Sequence, residues 1–257
     1  HDHDYLDRNK ITKQRLLYIV SKFKKTNICI IGEIIEDVYS NFDALGLSKE
    51  DPVVVYGNEK TNKYIGGAGI VSCHSSSLGA KSFLISCFNI AKDKFIINTL
   101  KNNKVNSILI NDNTRRNIKK IRFRSNDKTF FKINNFDSHV IDQTIEDEIV
   151  KKFEKLSHKI NLLIYSDFNY ELISKNLIKK LNNIKKKNNI FVAVDSQISS
   201  QFGNLFRYQN IDYFSQTEFE IRDTLKNKED GLIEIMNLFQ KITKCKYLNM
   251  KLGSDGT

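Results

Sequence analysis

Several protein classes are excluded by what this chain lacks. Its four cysteines are Cys29, Cys73, Cys87 and Cys245, and no two stand at C-x-x-C spacing. Neither a zinc site nor a dithiol redox centre is therefore suggested. Each cysteine lies in an apolar neighbourhood, where a buried, reduced thiol is the usual state. No stretch approaches the roughly 20 apolar residues of a membrane span, and no secretory signal opens the chain. The expected compartment is the cytoplasm, and no membrane partner is expected. There is a single proline, Pro52, and neither an internal repeat nor a low-complexity linker.

What is present is basic. The 257 residues carry 41 Lys+Arg against 30 Asp+Glu, a formal charge of +11. Such an excess can mark a nucleic-acid partner. Here the cations are mostly lysines scattered through helical stretches rich in Asn and Ile. No aromatic-interleaved basic motif and no recognition-helix signature accompanies them. The excess reads as a solvated surface with some attraction for phosphorylated small molecules, and no nucleic-acid partner is expected. At the start, His1 and His3 flank Asp2; a histidine pair at a terminus reads as a chain end rather than a metal site.

Length suits one large α/β domain or two small ones. Residues 12–25 read as a short basic helix with Leu16, Leu17, Ile19, Val20 and Phe23 on its apolar side. Ile28–Ile31 is then a short, continuously apolar run closed by Gly32, as fits a strand buried on both faces of a parallel sheet. The pattern returns at Leu162–Tyr165, Ile190–Val194 and Tyr247–Met250. Amphipathic helical stretches at about 68–79, 92–103, 144–158, 171–187 and 229–243 separate these runs. Alternation of this kind implies a doubly wound, mostly parallel sheet. Two segments break it: 36–65, expected to hold short polar strands, and 117–135. The second alternates Ile121 and Phe123, turns at Ser125-Asn126-Asp127, and returns with Phe130 and Ile133. It reads as a hairpin, and the two segments together as a small β lid. Lys185-Lys186-Lys187 closes a helix where cations suit its dipole.

Ligands of open parallel sheets bind outside the carboxyl ends of the strands. The residues there are Glu33, Asp167 and Asp195, each following an apolar run. Their expected convergence would offer acceptors to sugar hydroxyls or help hold magnesium; taken singly, each is better read as a helix cap. Gly66-Gly67-Ala68-Gly69 opens a helix where backbone N–H groups could approach an anion or a hydroxylated ligand. The hairpin carries Lys120, Arg122 and Lys132, which strand alternation puts on one face. Thr217–Glu220 has the form of a capping box, and that reading is complete in itself.

These segments resemble a family. Gly32-Glu33-Ile34-Ile35-Glu36-Asp37 is similar to the G-D-x-x-x-D opening of PfkB/ribokinase-type carbohydrate kinases, and Leu47–Val55 resembles the lid segment after it. Tyr64–Gly69, running to Leu78-Gly79-Ala80, resembles the family's first signature. Ser166-Asp167-Phe168, Val194-Asp195-Ser196 and the Thr217 box match later landmarks in order, and Leu252–Gly256 is similar to the T-x-G-x-x-G segment. Within the family, the likeness leans to the heptose 7-phosphate kinase domain of bifunctional ADP-heptose synthases.

The resemblance implies an α/β ribokinase-like fold and ATP-dependent phosphorylation of a sugar or sugar phosphate, with Mg2+. It places Glu33, Asp37, Gly66, Gly67 and Asp167 with the sugar, and Lys120, Arg122 and Lys132 with the sugar phosphate. It places Asp195, Lys251, Gly253 and Gly256 with the nucleotide, and Glu220 with the magnesium and phosphate region, an indirect metal role. It also implies a homodimer through the lid and a fused nucleotidyltransferase domain. Residues 1–25 are then a tail or linker from an upstream domain, and 26–257 a partial kinase domain with lid segments at about 38–65 and 117–135.

Departures accompany the match: Ile70, Tyr170, Gln197 and Thr217 replace an Asn, two Lys and an Asn of the pattern. No G-A-G-D occurs, so the aspartate serving as catalytic base in this family is expected to lie outside the chain, leaving these residues alone without activity. The competing reading is a degenerate, non-catalytic kinase-like module that binds a sugar phosphate or a protein partner.

Overall fold

The computed structural model describes residues 2–198 and 203–257; the side chains of His1 and His3 lie outside what is described. Two short helices come first, α1 (Asp2–Arg8) and α2 (Lys13–Phe23), the latter capped by Thr12, whose hydroxyl accepts from the Arg15 amide. The chain then enters a main sheet of seven parallel strands: β1 (Asn27–Gly32), β4 (Lys81–Cys87), β5 (Asn106–Ile110), β8 (Leu162–Asp167), β9 (Phe191–Ser196), β10 (Tyr213–Thr217) and β11 (Tyr247–Lys251). Their order is β11-β10-β9-β8-β1-β4-β5. A second sheet, ordered β3-β2-β6-β7, consists of β2 (Ile34–Leu47), β3 (Val54–Gly67), β6 (Ile118–Ser125) and β7 (Lys128–Asn135). This is the α/β architecture with a small β lid that the alternation of runs implied.

Helices α5 (Gln143–Ser157), α6 (Lys175–Asn188), α7 (Glu218–Leu225) and α8 (Leu232–Thr243) form one layer. Their apolar sides join Cys29, Ile31, Phe83, Ile85, Leu163, Tyr165, Val192, Val194 and Phe214 in the larger core. On the other face α3 (Ala68–Ser77) and α4 (Lys94–Asn102) pack on Ile30 and Leu84, building a second core with Cys73, Ile96 and Leu100. That layer stops short. On the α3 side of β9 and β11, Phe191 is 38% and Tyr247 51% exposed, while Ala193, Tyr213 and Ser215 are half-buried. Burial on both faces, as an apolar run suggests, therefore holds for β1 and β4 but not for the outer strands.

The lid corrects the sequence reading in one respect. Its first segment is not a set of short strands but two 14-residue strands, paired antiparallel from Ile34↔Gly67 to Leu47↔Val54 with two register shifts. The hairpin of β6 and β7 turns at Asn126 and Asp127, both at positive φ (48° and 60°), as a two-residue turn of this twist requires. β6 also pairs in parallel with β2, from Ile35↔Ile118 to Asn41↔Arg124. The lid thereby springs directly from the end of β1. Strand β1 lies between β4 and β8, and the chain travels outward to β5 before returning to β8. The winding reverses beside β1, and the crevice at such a switch point is where open α/β sheets bind ligands.

Candidate functional site

The switch point is bounded by Glu33, directly after β1, and Asp167, the last residue of β8. Both are almost fully enclosed, at 2% and 1% exposure. Each is satisfied within the protein. Glu33 accepts from the amides of Phe168 (2.9 Å) and Tyr170 (3.2 Å). Asp167 accepts from Ser196 Oγ (2.9 Å), Tyr208 OH (2.7 Å) and the Asn169 amide (2.9 Å), and is ion-paired with Arg207. Burial, and then the charge of Asp167, push the Glu33 carboxyl up to about 7, against the pull of its backbone donors. Enclosed and already accepting from protein donors, the two carboxylates shape the floor of the site. The sequence placed both with the sugar; here both stand at the base of the switch point, held by protein donors.

Asp195 corrects the sequence reading, since the three carboxylates do not converge. In the register of β8 and β9, Asp195 pairs with Ser166 and Asp167 with Ser196. Side chains alternate along strands, so Asp195 projects from the opposite face of the sheet. Its side chain is half exposed and meets Lys251 Nζ at 3.2 Å. Lys251 ends β11, and Gly253 and Gly256 follow it in an exposed turn. Glu220 completes the expected capping box: its carboxylate accepts from the Thr217 amide (2.8 Å) and also from that of Ile198 (3.3 Å). Those two bonds use one acceptor site on each oxygen of this buried carboxylate and tie the start of α7 to the chain just after β9. Among the described residues no group of three His, Cys, Asp or Glu is arranged to hold a metal ion.

The lid does bring its expected residues together. Arg122 pairs with Lys132 across the hairpin and Lys120 with Asn134, while Asp37 of β2 stands beside Lys120 and Tyr39 beside Arg122. One face thus carries Asp37, Lys120, Arg122 and Lys132. Arg122 Nη1 donates to Asp37 Oδ1 at 2.5 Å. Burial opposes the charge of Arg122, but the hydrogen bond and charge of Asp37 more than offset it. Lys120 is lowered by burial, with Arg122 adding to the fall while Asp37 and Glu33 resist it. Its Nζ lies 5.1 Å from the centre of the Phe168 ring and 5.5 Å from that of Tyr170. Lys120 thus reaches the turn after β8 at the switch point, while Arg122 stays on Asp37 and Tyr39 within the lid. Exposed Lys132 extends the row outward.

Gly66 and Gly67 close β3 and lead into α3. A side chain at Gly66 would collide with the Asp37 carboxylate. Gly67 sits at φ +61°, and a Cβ there would strike the Glu33 carbonyl oxygen, which accepts from the Ala68 amide at 2.8 Å. The start of α3 is thus held against both Asp37 and the Glu33 backbone.

Some of the site was not read from the sequence. Tyr39 lies under the guanidinium of Arg122 at 4.9 Å and that of Arg124 at 5.7 Å. Tyr39 and Arg124, with Asp37, Asn41, Asn62 and Tyr64, line a cleft of about 350 Å3. Extending β2 by its period of two would have placed Tyr39 beside Asp37. Arg207 ends, and Tyr208 caps, a short 3-10 turn (Leu205–Arg207), and nothing in their spacing points to Asp167.

Comparison with known proteins accords with this geometry: residues 25–257 match the pfkB family of carbohydrate kinases. The chain belongs to that family. Among its relatives, the "Bifunctional protein HldE" of Aliarcobacter butzleri is 30% identical over 179 residues, covering 67% of this chain and 37% of that protein. The protein of the same name from Campylobacter fetus is 23% identical over 237 residues, covering 90% of this chain and 50% of its own length. The chain thus spans half or less of these curated relatives. Ribokinase from Giardia lamblia superposes with a TM-score of 0.67 at 13% identity, over 89% of this chain and 74% of that one. Phosphofructokinase-2 from Escherichia coli, in complex with fructose-6-phosphate, gives 0.63 at 13%, with the same coverage. At such identities these two likenesses speak to the fold alone, and the fold of this pfkB-family chain is ribokinase-like.

Proposed function

We propose that this pfkB-family chain carries the sugar-binding part of an ATP-dependent kinase whose substrate already bears a phosphate, heptose 7-phosphate being the leading candidate. The observation that carries this reading is the row of cations Lys120, Arg122 and Lys132 on one lid face, with Asp37 of the neighbouring strand beside them and Lys120 reaching the switch point. A sugar phosphate needs that combination: cations for the phosphate and an acceptor with nearby backbone N–H groups for the hydroxyls. Asp37, Gly66 and Gly67 would meet the sugar, with Glu33 and Asp167 fixing the floor beneath it. Asp195, Lys251, Gly253 and Gly256 would border the nucleotide.

In the reaction the sugar hydroxyl oxygen bonds to the γ-phosphorus of ATP, the bond to the β–γ bridging oxygen breaks, and ADP leaves. The hydroxyl proton passes to a base. Magnesium, bound with ATP, supplies charge neutralisation of the phosphates. The residues of this chain bind and orient the acceptor, which is a large share of what phosphoryl transfer asks of a protein. No G-A-G-D occurs in the sequence, so these 257 residues alone are expected to bind sugar phosphate without turnover.

Exposed Leu45, Leu47, Val53, Val54, Val55, Phe130 and Phe131 near the lid's far end support a homodimer through the lid. The bifunctional relatives, about twice as long as this chain, support a second, fused domain in the whole protein.

Calorimetric titration with a sugar phosphate and with the same sugar unphosphorylated tests the reading. At least tenfold tighter binding of the phosphorylated form is expected, with the preference lost in Arg122→Ala. Equal affinity for both forms sinks it. The departures from the family pattern at Ile70, Tyr170, Gln197 and Thr217 favour one other reading, a kinase-like module without catalysis. Turnover by the whole protein, with ATP and sugar phosphate supplied, separates that from an enzyme.

A further inference from the structure

The two buried carboxylates of the switch point have different neighbours. Asp167 is tied to the interior through Arg207, Tyr208 and Ser196. Glu33 reaches instead into the turn after β8, where each of its oxygens takes one backbone amide, Phe168 and Tyr170. Those two residues carry the rings on which Lys120 of the lid rests. We propose that Glu33 is a positioning residue that fixes the Phe168–Tyr170 turn and, through its two rings, sets where the lid's Lys120 stands over the site. What Lys120 then touches rests on the sugar-phosphate reading above; the coupling itself does not.

The turn needs such a clamp. Asn169 and Glu171 both adopt positive φ (58° and 66°), a conformation costing non-glycine residues on the order of 1 kcal/mol each. Arg115 Nη1 secures the Tyr170 carbonyl (2.8 Å), and Arg207 Nη2 the Asn169 side-chain oxygen (2.8 Å). These bonds hold the turn's other polar groups, whereas Glu33 holds the amides of both ring-bearing residues. An aspartate, one methylene shorter, would reach the turn less far, so the glutamate is itself part of the arrangement. Phe136, after the lid's last strand, packs on Tyr170 with ring centres 4.5 Å apart, a second tie between turn and lid.

Glu33 faces Asp167, which disfavours its charge, and Arg207, Arg115, Lys120, Tyr170 and Cys87 from the surrounding elements. Because burial and Asp167 push its carboxyl up to about 7, the clamp changes protonation near neutral pH. The protonated acid is the weaker acceptor for two amides, so the turn and Lys120 should respond together.

The protein itself supplies the test. Lysines are 13C-methylated reductively, the Lys120 signal is assigned by its loss in Lys120→Arg, and amide exchange is followed at Phe168 and Tyr170. In the wild-type chain the Lys120 signal is expected to inflect between about pH 6 and pH 8. In Glu33→Gln the inflection is expected to vanish, with exchange at the two amides at least tenfold faster and that of α3 amides unchanged. A Lys120 signal keeping its position and pH profile in Glu33→Gln overturns the proposal, as does loss of amide protection throughout the chain without movement of Lys120. Should Glu33→Gln not fold, the wild-type titration decides: a flat Lys120 profile overturns the proposal, an inflection supports it. No sugar is present, so these outcomes are independent of whether sugar phosphates bind.

Discussion

At the scale of single residues, the site depends on backbone and side chain meeting within one short stretch. Gly67 is the sharpest case. Its φ of +61° and the Glu33 carbonyl facing its missing side chain leave no room for a Cβ. Gly67→Ala is therefore expected to lose about 2–3 kcal/mol, lowering the thermal unfolding midpoint by roughly 5–10 °C for a chain of this size. Glu33 adds a pH dependence. Its carboxyl, pushed up to about 7 when folded, titrates near 4.3 in an unfolded chain. Between those values the folded chain holds a proton that the unfolded chain has released. The stability associated with Glu33 is thus greatest below about pH 4, falls as pH rises toward 7, and is level above. Unfolding midpoints measured at pH 5 and pH 7.5 are expected to shift in favour of Glu33→Gln, relative to wild type, at the higher pH. Of the single residues, Asp37, the glycines and the lid cations were legible from the sequence. The enclosure of Glu33 and Asp167 was not, because burial depends on what packs around a strand end, here Arg207, Tyr208 and the 168–170 turn.

At the scale of elements, period and turn chemistry carried most of the information. The hairpin of β6 and β7 follows its alternation, and Lys120, Arg122 and Lys132 share a face as a period of two demands. Its turn is imperfect: Asp127 holds φ +60° with a side chain that is almost entirely in solvent. Glycine in that position suits the turn better, so Asp127→Gly is expected to raise stability by about 0.5–1 kcal/mol, visible as a rise of a few degrees in the unfolding midpoint. The Thr217 capping box forms as its spacing indicated. Strands β4, β5 and β10 were not singled out, because serine, asparagine or glutamine interrupts their apolar character. The length of β2 and β3 was hidden for another reason. Their polar residues face the cleft or solvent, and only cross-strand pairing keeps them extended.

At the scale of the whole molecule, the lid ends in apolar residues that the monomer leaves in water: Leu47 is 78% and Phe131 56% exposed. Aromatic contacts hold the same end of the lid together, Phe42 on Phe123 and Tyr56 on Phe130 at 6.0 and 4.3 Å between ring centres. Exposed apolar surface of this kind favours association. Sedimentation is expected to show a dimer that Phe131→Asp with Val54→Lys reduces to monomer, leaving the unfolding midpoint of the main sheet within about 2 °C. A monomeric wild type at tens of micromolar removes the lid dimer.

The sequence by itself determined the parallel α/β sheet, its lid, the order of the landmarks and the cationic hairpin face, because each of these is written in local period, turn residues or motif spacing. Tertiary structure alone decided which carboxylates meet. Asp167 and Asp195 both end apolar runs, yet a register offset of one residue between β8 and β9 turns them to opposite faces of the sheet, and no local pattern encodes a register between strands about thirty residues apart.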